Sequence, residues 1–172
     1  MDVLIVVDMQ NDFIDGSLGT DEALNILNNV KEKINKFKGK IIYTMDTHNE
    51  DYLETSEGKN LPVKHCIKGT SGWEIREDIY DGHSEIIEKN TFGSIDLVKR
   101  LEEIKSNEKI NSIEIIGICT DICVISNAIL VKTAFPEIEI SVDAKCCSGI
   151  TDKSHNEALD IMKLCQIDIK GA

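Results

Sequence analysis

The stretch Ile113-Glu114-Ile115-Ile116-Gly117-Ile118-Cys119-Thr120-Asp121-Ile122-Cys123-Val124 decides how this chain is read. An apolar segment suited to a strand, Ile113 to Ile116, runs into Gly117, and an apolar stretch of helical length follows from Val124 to Ala134. A strand that turns sharply into a helix aims backbone N–H groups and the positive end of the helix dipole at one point. Cys123 falls in the first turn of that helix, where a thiolate is favoured over a thiol, and this makes it a candidate nucleophile. The plainer alternative is that Cys119 and Cys123 are small apolar fillers, four residues apart on one buried helix face.

Three further strand ends bear on that choice. Val3-Leu4-Ile5-Val6-Val7 is a continuous apolar run, suited to a strand covered on both faces, and it ends at Asp8. Lys40 to Thr44 leads to Asp46-Thr47-His48, and Ser84 to Glu88 leads to Lys89. Helix-period segments alternate with these runs at Asp21 to Phe37, Ser94 to Ile104, Thr120 to Ala134 and Thr151 to Cys165, with Thr120 and Thr151 placed as N-caps. A further strand spans Ile138 to Val142, ending near Cys146-Cys147. The alternation predicts an α/β fold: three layers, α/β/α, around a mostly parallel, doubly wound sheet of about six strands. In such a sheet ligands bind beyond the carboxyl ends of the strands. The Asp, the Asp-x-His, the Lys and the Cys would then face a single crevice.

Length and composition set bounds. At 172 residues the chain is read as one domain, 1–172, able to bury roughly two-thirds of its unfolded surface. With 19 basic against 31 acidic residues, net −12, nucleic acid and anionic membrane are poor partners. The first apolar run is too short to cross a membrane and follows no basic segment, so no signal peptide is expected. Six cysteines without repeated C-x-x-C pairs do not form a disulfide framework, and a reducing cytoplasm is the expected location. The region from Asn49 to Tyr80 is long and aperiodic, a functional loop more than a disordered one because it carries Leu61-Pro62 and Trp73. Asp46 and His48 are spaced i, i+2 and so face the same side of an extended backbone. Taken alone the pair is weak evidence for a metal, since a turn Asp and a polar His explain it equally well.

The chain resembles the isochorismatase-like cysteine hydrolases, and within them the nicotinamidase/pyrazinamidase branch. The matching pieces are Val6 to Phe13, Asp46-Thr47-His48, Leu61 to Cys66, Gly69 to Trp73, Lys89 to Ser94 and Gly117 to Val124, in the family's order. The resemblance implies a triad of Asp8 as general acid and base, Lys89 beside the thiol to lower its pKa, and Cys123 as nucleophile. It implies a cis Ile118–Cys119 bond, with the backbone N–H groups of Cys119 and Cys123 facing the oxyanion. It further implies one divalent transition metal, zinc foremost with iron or manganese as alternatives, held within about 46–80 by Asp46, His48 and His65. For a fourth ligand the family varies, and Glu57 is favoured over Glu54 because Gly58 beside it can turn the chain at positive φ. Phe13 and Trp73 are candidates to stack on a substrate ring, with plain core packing as the alternative. The activity implied is hydrolysis of nicotinamide to nicotinate and ammonia through a cysteine thioester, a reaction of NAD salvage. The alternative is another hydrolase of the same fold acting on a different small amide, ureido compound or enol ether. A small-molecule amide is the expected partner, and homo-oligomerisation stays open.

Overall fold

The first apolar run forms β1 (Asp2–Val7), and Val3 to Val7 are all fully buried, as a strand covered on both faces requires. In this computed structural model, which describes Met1 to Ala172, five more strands follow: β2 (Lys40–Asp46), β3 (Glu85–Lys89), β4 (Ser112–Ile118), β5 (Glu139–Ser148) and β6 (Asp168–Lys170). They form one sheet in the order β3-β2-β1-β4-β5-β6, every pair parallel. Strand order reverses between β1 and β4, and the carboxyl ends there open the crevice of a doubly wound sheet.

Helices α1 (Asn11–Ile14), α2 (Asp21–Lys36), α3 (Ser56–Asn60), α4 (Ile95–Asn107), α5 (Ile125–Ala134) and α6 (Asp152–Leu164) fill the connections. Right-handed crossovers place α2 on one face of the sheet and α4, α5 and α6 on the other. The contacts agree: α2 meets β4 and β5, while α5 lies between α4 and α6. Side-chain caps start four of them, with Thr20, Thr55, Ser94 and Thr151 each accepting an N–H from three residues on.

Thr120 is not a cap. The chain enters α5 through a π-helical turn, Thr120–Val124, and the Thr120 hydroxyl is drawn instead to His155 Nδ1 at 2.7 Å. Strand β5 also runs on past Val142 to Ser148, so Cys146 and Cys147 are buried strand residues and not part of a turn. No helix is long and apolar enough to cross a membrane.

Gly117 sits where β4 leaves the sheet, at φ +125, and a Cβ there would lie 2.1 Å from the Val7 carbonyl oxygen. The glycine therefore serves both a left-handed backbone and close passage over β1. Gly117→Ala should cost more than about 2 kcal/mol in urea unfolding, and Gly82→Ala, at φ +81 in open space, about 1 kcal/mol. Equal losses would show that the approach to Val7 contributes nothing.

Candidate active site

Asp8, Asp46, Lys89 and Cys123 are each carried to the crevice at or just past the end of a strand. Asp8 follows β1 with a φ of 49, an uncommon left-handed conformation for a non-glycine residue, and is fully buried. Asp46 and Lys89 close β2 and β3 and stand opposite each other in the parallel register. Cys123 sits in the π-helical turn after β4, and the Ile118–Cys119 bond before that turn is cis.

Lys89 joins these groups. Its ammonium lies 2.6 Å from Asp8 Oδ2, 3.4 Å from Asp46 Oδ1 and 3.6 Å from Cys123 Sγ. The contact with Asp8 Oδ2 is an ion pair without aligned hydrogen-bond geometry, and the other oxygen of Asp8 accepts the Thr44 hydroxyl at 2.6 Å. Burial opposes the charge on Lys89, but Asp8, Cys123 and Asp46 around it hold its pKa above the ordinary value. Burial, and then the charge of Asp8, push the Cys123 thiol well above its usual range, with Lys89 pulling the other way. Lys89 lowers the thiol pKa, as expected of its charge, but desolvation of the sulfur outweighs the ammonium and the net shift is upward. Burial likewise raises the carboxyl of Asp8, against the pull of Lys89. The thiol is thus held toward its protonated form, beside the Asp8 carboxyl group that Lys89 and Thr44 fix in place.

At the other end of the crevice Asp46, His48, Glu57 and His65 each present a ligand atom, all within 4.8 Å of one another. His48 Nε2 lies 2.9 Å and His65 Nε2 3.4 Å from Asp46 Oδ2, and Glu57 Oε1 lies 3.7 Å and 3.6 Å from the same two nitrogens. Two imidazoles and two carboxylates converging in this way fit a divalent transition ion. The second contact of His65 supports the fit. Its Nδ1 faces the Val63 carbonyl at 2.8 Å, which places the proton there and leaves Nε2 free to ligate. Backbone pairing ties the two histidines together, since His48 N–H donates to Cys66 O and Lys68 N–H to His48 O, both at 2.9 Å. Cys66 is buried beside His65 and is not one of the four.

Glu57 enters this group for a reason different from the sequence argument. Gly58 has no positive φ; it lies within α3, where a Cβ would stand 2.0 Å from the Tyr52 carbonyl oxygen. The glycine lets α3 lie against the short 3-10 turn Tyr52–Glu54, and that packing directs Glu57 inward. Glu54 is exposed.

A cavity of about 220 Å³ joins the two groups, reaching Cys119 and Cys123 at one end and Asp46 and His65 at the other. Phe13 lines it, its ring 5.5 Å from that of His65. Trp73 does not. Its Nε1 is held by the Thr47 hydroxyl at 2.9 Å and its ring lies under Lys68, facing a different hollow beside Met45 and Tyr80. Leu61, Phe92 and Ile150 form the mouth and are exposed beyond a third of their surface, although no pattern in the sequence marks them. Gln10 was also missed: its side chain brackets Asp46, accepting from Asp46 N and donating to Asp46 O. Asn127 does the same for the turn that carries Cys123, donating to Cys123 O at 2.8 Å and accepting from Ser94 N at 2.9 Å.

Comparison with known proteins bears on this geometry. The model of the isochorismatase domain matches residues 2–170. The chain belongs to the isochorismatase family. A nicotinamidase of Schizosaccharomyces pombe is 25% identical over 205 aligned residues, covering 96% of this chain and 91% of that protein. The pyrazinamidase of Pyrococcus horikoshii, solved in complex with zinc, superposes with a TM-score of 0.83 at 30% identity, covering 98% of this chain and 97% of that one. A pyrazinamidase/nicotinamidase of Streptococcus mutans superposes with a TM-score of 0.85 at 25% identity, covering 98% and 99%.

Glu57→Ala should weaken zinc binding by roughly tenfold or more in a competition titration with a chromophoric chelator, and Glu54→Ala should leave it unchanged. Weakening confined to the Glu54 variant would remove Glu57 from the ligand set.

Proposed function

We propose that this protein is a metal-dependent nicotinamidase, hydrolysing nicotinamide to nicotinate and ammonia through a thioester on Cys123. The observation that carries the reading is one cavity with the buried Cys123 thiol at one end and, at the other, Asp46 and His65, two of the four residues whose ligand atoms cluster. At about 220 Å³ it is smaller than the ~300–1,000 Å³ of ordinary ligand pockets, which suits a one-ring amide. A divalent transition ion held by Asp46, His48, Glu57 and His65 would supply a Lewis-acid contact for the ring nitrogen.

The protein's own groups account for the chemistry. Phe13 covers one face of the ring and keeps water from it. Cys123 Sγ attacks the amide carbon as its proton passes to Asp8, so no free thiolate has to persist in the buried site. The backbone N–H groups of Cys119 and Cys123 donate to the oxyanion of the tetrahedral adduct. Asp8 returns the proton to the amide nitrogen, the C–N bond breaks, and ammonia leaves a thioester on Cys123. Asp8 then deprotonates the water that attacks the thioester, and the sulfur regains its proton as nicotinate departs. Lys89 keeps the negative charge tolerable whether it sits on Asp8 or on the sulfur. Thr44 fixes the orientation of the carboxylate.

Cys123→Ala should abolish ammonia release, because Cys123 is the thiol set against Lys89 and Asp8. Cys119→Ala should keep much of it, since only the backbone of that residue is used. The reverse pattern would overturn the assignment of the nucleophile. Prolonged chelation should remove activity toward nicotinamide and leave the circular-dichroism spectrum unchanged, with activity restored by a divalent transition metal. Full turnover in a preparation shown to be metal-free would reject this reading in favour of another small-amide hydrolase of the family.

A further inference from the structure

The turn that carries Cys123 is held from outside by the start of α6. Thr120 is fully buried, and its hydroxyl has one partner, His155 Nδ1 at 2.7 Å. The next residue, Asp121, accepts the Ile150 N–H at 3.1 Å. Both contacts come from the β5–α6 connection and the first turn of α6, where Thr151 and Ser154 form a reciprocal cap that fixes the helix start. A Cβ at Gly149 would stand 3.0 Å from the His155 Cα, so the connection is packed closely there.

We propose that His155 is a positioning residue for the nucleophile: acting through Thr120, it holds the π-helical turn that sets Cys123 Sγ beside Lys89 with Cys119 lining the same cavity. The inference rests on the reading of Cys123 as nucleophile. A π-helical turn contains one residue more than an α-helical turn and is rare, so it persists where its surroundings enforce it. Relaxation to α-helical geometry would rotate side chains by about 100° per residue displaced, enough to turn Cys123 away from the ammonium 3.6 Å from it. The Thr120–His155 bond ties the first residue of the turn to a helix that does not share its register.

The polarity of that bond makes it sensitive to acid. A neutral imidazole with its proton on Nε2 accepts the Thr120 O–H at Nδ1, whereas an imidazolium carries N–H on both nitrogens. On protonation the buried hydroxyl would lose its only acceptor. Burial lowers the His155 pKa from the ordinary histidine value, against the opposing pull of Asp121 on the turn and Asp152 on α6. The neutral form therefore holds near neutral pH; as pH falls below the ordinary histidine range the bond must reverse, Nδ1–H donating to the hydroxyl oxygen, which leaves the buried Thr120 proton without an acceptor.

A double-mutant cycle on the zinc-loaded enzyme tests this with His155→Leu, Thr120→Val and the pair together. Two quantities are read: kcat and KM for nicotinamide, and the rate of Cys123 alkylation by iodoacetamide followed by peptide mass. Each single variant should lower kcat by about tenfold or more, move KM by less than about threefold and change the alkylation rate, and the double variant should be no worse than the poorer single. His155→Asn, whose side-chain oxygen can stand in for Nδ1 as an acceptor, should keep kcat within about threefold of the parent and lose the acid-side fall in activity. Additive losses would overturn the proposal, as would parental kcat and alkylation in His155→Leu, or a loss confined to KM. If the parent enzyme released no ammonia from nicotinamide but the alkylation cycle were non-additive, the nicotinamidase reading would fall and this inference would stand.

Discussion

The buried ammonium of Lys89 is the constraint around which the site is built. A lone charge taken out of water is costly, and it is tolerated where opposite charges and hydrogen-bond partners meet it in fixed geometry. Here those partners come from separate parts of the chain: Asp8 after β1, Asp46 at the end of β2 and Cys123 after β4. The order β3-β2-β1-β4 sets these four strand ends side by side, so one topology both neutralises the lysine and assembles the reacting groups. The left-handed backbone of Asp8 and the glycine passage at Gly117 are local costs accepted to bring the chain into that arrangement.

Two electrostatic regimes follow within one small cavity. At the Cys123 end desolvation dominates, and the thiol is raised despite the neighbouring lysine. At the other end hydrogen bonds from two histidines win over burial, and the carboxyl of Asp46 is held below its ordinary range. Burial and the charge of Asp46 raise Glu57, so the four-residue group carries like charges that a cation would relieve. Lys89 touches both ends through Asp8 and Asp46, which couples the charge state of the four-residue ligand cluster to that of the Cys123 end.

The sheet was legible in the sequence because buried parallel strands leave continuous apolar runs, and residues placed just past such runs share one edge by topology. That is why Asp8, Asp46, His48, Lys89 and Cys123 could be grouped before any coordinates. Features that depend on packing between distant segments left no such trace. Trp73 lies in a matching piece of sequence that suggests ring stacking, but its indole is anchored to Thr47 and lies outside the cavity. Glu57 was selected with a mistaken argument about Gly58, whose role is close approach to Tyr52 and not a reversal at positive φ. Strand β6 is three residues long with charged ends, too short for periodicity to register. The raised thiol of Cys123 could not be read either, because a helix N-terminus signals activation while the degree of desolvation is set by the whole fold.

The account's central claim is that Cys123 becomes acylated while Asp8 carries its proton. The most direct test is acid quenching during steady-state turnover of nicotinamide, followed by intact-mass and peptide-mass analysis. The account predicts one nicotinoyl group, borne by the peptide containing Cys123 and absent when substrate is omitted. Ammonia release with no adduct at any quench time, or an adduct borne by another residue, would contradict it.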